Sequence, residues 1–202
     1  MNDVEVVTRR INKTDLQVLN VTVRDELFEK ACWLEEGSSV HDKIDPTEWT
    51  GGFIENAVTV GTLGEFAYQI AFPGLQVDAE YKKKGTPHDF LIGDIRLEVK
   101  TQTELYSHEQ AWIRATGERG GILYLKADLY GFGYLETFIP SQRLATIILV
   151  GYFTREELAK RTPVPSRSKR ATHMNREFPY SRLTPLVDLW RDYIEHLGKQ
   201  NG

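Results

Sequence analysis

Cysteine is almost absent: Cys32 is the only one in 202 residues. A lone thiol excludes an internal disulfide and any zinc site that needs two thiolates from this chain, and it points to a reducing, cytosol-like compartment. Long hydrophobic runs are missing too. The longest, Ile147 to Val150 continued through Gly151 to Phe153, falls far short of the about 20 residues that cross a bilayer. The opening Met-Asn-Asp-Val-Glu has neither the basic stretch nor the apolar core of a secretory signal. No repeat or low-complexity tract is visible. Together these absences predict a soluble, cytoplasmic protein with no membrane partner. Apolar residues make up 41% and charged residues 27%, an ordinary globular balance with enough chain for one compact domain. The net charge of −4 is uneven: Arg161 to Glu177 nets +4, leaving −8 on the remainder. That stretch is either a local site for a polyanion or a solvated loop.

The chain reads as α/β. Residues 1–52 form an N-terminal strand and helix extension, with a strand over Leu16 to Val23, a helix over Arg24 to Glu36 and a loop to Gly52. A core follows over 53–140. Its helix runs from Ile54 to Phe72 and stops at Pro73-Gly74. Leu75 to Tyr81 fits a strand, and Lys82-Lys83-Lys84-Gly85 a turn. His88–Ile92 and Ile95–Thr101 form a hairpin about Gly93-Asp94. Ser107 with Gln110 makes a capping-box pattern that predicts a helix over His108 to Glu118, and Ile122 to Lys126 and Tyr134 to Ile139 read as strands. Residues 141–202 are a C-terminal extension. Thr154 with Glu157 caps a short helix there, and a final helix starts at Thr184-Pro185 and stops at Gly198.

The hairpin carries the chemistry. A two-residue turn at Gly93-Asp94 sets Ile92 opposite Ile95, Phe90 opposite Leu97 and Asp89 opposite Glu98. Alternation then gives one apolar face and one face holding Asp89, Glu98 and Lys100. Opposed carboxylates have β-carbons about 5 Å apart and repel by about 3 kcal/mol at an effective dielectric of 20. A bound divalent cation reverses that sign, because hard oxygen ligands converging on one point suit Mg²⁺ or Mn²⁺. Lys100 projects from the same face, where it can contact a water or a phosphate oxygen. The alternative reading is an exposed strand face kept soluble by three charges. A third acid, Glu65, follows Gly64 in the first core helix. Glycine there costs about 1 kcal/mol against alanine, which is understandable if the helix backbone approaches the sheet closely.

Gly64-Glu65, Asp89 and Glu98-Val99-Lys100, set in helix–strand–strand–strand–helix–strand order, resemble the PD-(D/E)XK nuclease superfamily. The resemblance covers about residues 53–140 and implies a restriction-endonuclease-like αβββαβ core with a mixed central sheet flanked by helices. It also implies Mg²⁺-dependent hydrolysis of phosphodiester bonds, DNA rather than RNA, with Mn²⁺ as a substitute. Asp89, Glu98 and Glu65 would be metal ligands and Lys100 would assist the water. The proline typical of that motif stands at Pro87, one place early, with His88 before Asp89. Substrate contacts are expected from Gln102, on the same face two residues on, from Gln110, and from the basic residues Lys82, Lys83, Lys84, Arg167, Lys169 and Arg170. A Holliday-junction resolvase of this fold, which requires a symmetric homodimer, and a catalytically silent nucleic-acid-binding module remain as alternatives.

Overall fold

The computed structural model describes residues 3–33, 57–75, 89–92, 94–103, 110–115, 125–165 and 174–200. Strands β1 (Val4–Ile11) and β2 (Thr14–Arg24) form a hairpin closed by Asn12 and Lys13, both at positive φ, the two-residue turn whose twist matches the flanking strands. Helix α1 (Asp25–Trp33) follows directly, and helix α2 (Ala57–Ala71) gives way to Pro73-Gly74 as expected. Strands β3 (Phe90–Ile92) and β4 (Ile95–Gln102) pair antiparallel with Phe90 opposite Leu97 and Ile92 opposite Ile95, the register the turn dictates. Next come β5 (Gln110–Arg114), β6 (Leu129–Ile139), β7 (Leu144–Thr154), α3 (Arg155–Ala159), β8 (Val164–Pro165), β9 (Met174–Pro179), the short β10 (Thr184–Pro185) and α4 (Leu186–Gln200).

The central sheet is mixed, with strand order β1-β2-β7-β6-β4-β3 and β10 hydrogen-bonded to β7; β4 and β6 run parallel. A second sheet, β5-β9-β8, packs on one of its faces, and α1, α2 and α4 cover the other. Each strand of the centre thus divides its residues between two cores. Leu97 and Val99 join Leu63, Ala67 and Tyr68 of α2. Tyr130, Phe132 and Tyr134 of β6 pack instead with Ala111 and Ile113 of β5 and Phe178 of β9.

Several expectations need correction. The helix over His108 to Glu118 is not formed at its centre: Gln110–Arg114 is strand β5, in which Ala111 and Ile113 are buried while Trp112 between them is 40% exposed. That period of two outweighs the local capping pattern of Ser107 and Gln110. The αβββαβ order therefore fails at its second helix over those residues. Both terminal segments contribute to the central sheet, in which β2 and β7 are interior strands. The basic stretch is not wholly loop, since β8 and β9 occupy its two ends. Finally, Leu125 and Lys126 lie outside any strand, and α4 continues past Gly198. The Thr154–Glu157 capping box forms reciprocally, each side chain bonding the other's backbone N–H. Most of the expected strand over Leu75 to Tyr81 and the turn at Lys82 to Lys84 lie outside the described residues.

Helix α2 lies unusually close to the sheet. A β-carbon added at Gly64 would fall 1.7 Å from Thr101 Oγ1, and one added at Gly131 of β6 would fall 2.1 Å from the Tyr68 hydroxyl. Two glycines on opposing elements thus let backbone and side chain interlock. Gly64→Ala should accordingly destabilise the fold by about 1–3 kcal/mol, the usual scale of overpacking, whereas a freely exposed helix would gain about 1 kcal/mol from the same change. Urea denaturation decides between the signs, and Thr101→Gly in the Gly64→Ala background should recover part of the loss.

Candidate active site

The site is built on β4. Because Leu97, Val99 and Thr101 face α2, alternation turns Arg96, Glu98, Lys100 and Gln102 toward the second sheet. The register with β6 sets Glu98 beside Tyr130, Lys100 beside Phe132 and Gln102 beside Tyr134. Glu98 and Lys100 stand at the border of the covered area, with side chains 23% and 38% exposed, and Lys100 Nζ donates to Glu98 Oε1. Burial, helped by the charge of Glu98, raises the pKa of the Tyr130 phenol above its ordinary value.

Asp89 sits at the start of the hairpin, immediately before β3. Its Oδ2 accepts a 2.6 Å hydrogen bond from the Val99 backbone N–H, and its own N–H donates to the Leu97 carbonyl at 2.9 Å. The carboxylate thus takes the place of a strand carbonyl and is fixed to the strand that carries Glu98 and Lys100. Glu65 is 3% exposed on α2, next to the Gly64–Thr101 contact, on the opposite side of the sheet from Glu98. The hairpin therefore brings Asp89, Glu98 and Lys100 onto one short element, and Glu65 lies behind it. Among the described residues, no three Asp, Glu, His or Cys side chains converge as a ready metal cage.

Gln102 occupies a different position from a substrate contact. It is buried, its Oε1 accepts from the Tyr180 hydroxyl at 3.0 Å, and its Nε2 donates to the Gln110 carbonyl at 3.1 Å. The Tyr180 hydroxyl also lies 3.2 Å from the Gly133 carbonyl. This clamp ties β4 to both sheets, and it uses the Gln110 backbone on a strand rather than a side chain on a helix. Lys82, Lys83, Lys84, Arg167, Lys169 and Arg170 lie outside the described residues, as does His88.

One group that the sequence reading missed stands at the same face. Arg96 grips Asp128 through Nε and Nη2, each at 3.0 Å, and its backbone N–H donates to the same carboxylate; Arg155 adds a contact at 3.3 Å. The backbone completes the link, with Asp128 N–H donating to the Arg96 carbonyl and Arg155 N–H to the Asp128 carbonyl. A residue just before β6 thereby fastens β4 and α3 together. No local pattern could have revealed it, because the partners are 32 residues apart and meet through the β4–β6 pairing.

Comparisons with family models, with curated proteins and with solved structures returned no match.

The Arg96 hydrogen bonds hold the Asp128 carboxyl far below the ordinary carboxylate range. A depressed pKa contributes stability that is present above the unfolded value of about 3.9 and is lost as pH falls toward the folded one. Asp128→Asn should therefore be less stable than the native chain by a constant amount from pH 7 down to about pH 4, with the gap closing only in stronger acid. Urea midpoints of both proteins at pH 7, 5 and 3 test this; a gap that closes between pH 7 and 5 would assign the stabilisation to another group.

Proposed function

We propose that the chain is a Mg²⁺-dependent DNA endonuclease that hydrolyses phosphodiester bonds with a metal-activated water. The observation that carries this reading is the hairpin register, which fixes Asp89, Glu98 and Lys100 on one element at a half-buried border. The arrangement of α2, β3, β4 and β6 is consistent with a restriction-endonuclease-like core, from which β5 departs. The donor set fits a hard divalent cation: Asp89 and Glu98 supply carboxylate oxygens, and Lys100 is the cation that now neutralises Glu98. Bound there, Mg²⁺ or Mn²⁺ would supply positive charge for a scissile phosphate and a water of lowered pKa. Asp89 is oriented by the Val99 N–H. Lys100, exchanged from Glu98 to substrate, would act as a point charge on a phosphate oxygen or on the incoming water. The apolar wall of Tyr130 and Phe132 keeps bulk water from that side.

A second reading, a catalytically silent nucleic-acid-binding module, is favoured by one observation: both hairpin acids already have partners within the protein. Turnover separates the two. With Mg²⁺ or Mn²⁺ and not with chelator, the native protein should cleave at least one of supercoiled, linear, branched or single-stranded DNA. Preference for the branched substrate together with a dimer would indicate a resolvase. Glu98→Ala should abolish cleavage. Lys100→Ala should lower kcat about 10²-fold or more while Ca²⁺-supported DNA binding is retained, the scale of one lost electrostatic contributor. Asp89→Ala should abolish cleavage and also lose about 1 kcal/mol of stability with the Val99 hydrogen bond. Absence of cleavage across all substrates and metals leaves the silent module.

A further inference from the structure

The sheet face that carries Glu98 and Lys100 continues across β6 to β7, where one arginine stands over Phe153 while a second lies on β9, two residues before Phe178. Arg161, just beyond α3, places its guanidinium 5.1 Å from the Phe153 ring centre and 6.0 Å from that of Phe178. Arg176 stands two residues before Phe178 on β9, opposite Ile113 of β5, and so shares the inward face of Phe178. Its Nε and Nη1 are buried and have no hydrogen-bond partner among the described residues. No described carboxylate pairs with either arginine. Two guanidinium donors buried without acceptors bear a desolvation cost that no described residue offsets, which selection for stability alone would remove. An anion drawn into the gap would compensate it.

The strand registers set the scale. Glu98 is opposite Tyr130, and Tyr130 opposite Phe153, so Phe153 lies two strand spacings, about 10 Å, from Glu98. Neighbouring phosphates on one strand stand farther apart through space than the axial rise of about 3.4 Å, so that distance spans only one or two nucleotides. We propose that Arg161 and Arg176 form a phosphate site that seats a nucleic-acid backbone phosphate one or two nucleotides from the one held at Glu98 and Lys100. The identity of the ligand as nucleic acid rests on the nuclease reading; anion binding by the two arginines does not. Arginine suits the task because its planar fork can stack on Phe153 while offering paired donors to phosphate oxygens. Such a contact positions the backbone and reads no sequence.

The test compares the native protein with Arg176→Met and Arg161→Met in EDTA, where nothing is cleaved. Each variant should bind a duplex DNA oligomer at least fivefold more weakly at about 0.1 M salt, with a salt slope reduced by about 1. In phosphate-free buffer Arg176→Met should melt at or above the native temperature, because an uncompensated charge has gone. Inorganic phosphate, at matched ionic strength, should raise the native melting temperature and leave that of Arg176→Met unchanged. Native DNA affinity and native phosphate response in both variants would overturn the site. A native protein stabilised by phosphate but indifferent to DNA would overturn the nucleic-acid ligand. Loss of these arginine effects in a protein that cleaves removes this site alone, whereas their presence in a protein that never cleaves removes only the nuclease reading.

Discussion

Strand β4 must satisfy two interiors at once. Its odd-numbered residues press on α2 so closely that only glycine fits at position 64, and its even-numbered residues line the gap to the second sheet. A strand so enclosed has little room for charge in its middle. The acids and the lysine survive where the second sheet ends, and the one polar residue further in, Gln102, is accepted because both ends of its amide are bonded. Placement of the candidate chemistry is thus a consequence of coverage: charge occupies the rim of a layer that apolar side chains fill elsewhere.

The same constraint explains the pattern of charge pairing. Arg96, at the outer end of β4, is held by Asp128 through two side-chain bonds and one backbone bond, an arrangement that serves architecture. Glu98 and Lys100, two and four residues further along, satisfy one another within a single strand. Neighbouring positions on one face therefore differ in kind. The first pair joins distant parts of the chain, and the second links residues already joined by the backbone, so its exchange for external partners leaves the strand order untouched.

Short-range physics was legible in the sequence. A two-residue turn fixes a hairpin register, so the alignment of Phe90 with Leu97 follows from Gly93-Asp94 alone, and the Thr154–Glu157 box and the Pro73-Gly74 stop are equally local. The close approach of α2 was readable from an uneconomical glycine at position 64. What was not legible depends on partners far along the chain. Ser107 and Gln110 imitate a helix start, and the strand that recruits Gln110–Arg114, β9, is more than sixty residues away in a stretch whose arginines and prolines suggest a loop. Likewise, nothing near Glu65 announces that a sheet will stand between it and Glu98.

The interior position of β7 has a consequence for how the chain is made. β2 finds its partner only when Leu19 meets Leu149, across 130 residues. At about 5–20 residues per second, the ribosome needs on the order of ten seconds to deliver that partner. For that interval the N-terminal hairpin carries an apolar strand with one unsatisfied edge. Its full ordering therefore has to wait for β7, and nascent chains that end before that strand are the form most in need of a chaperone.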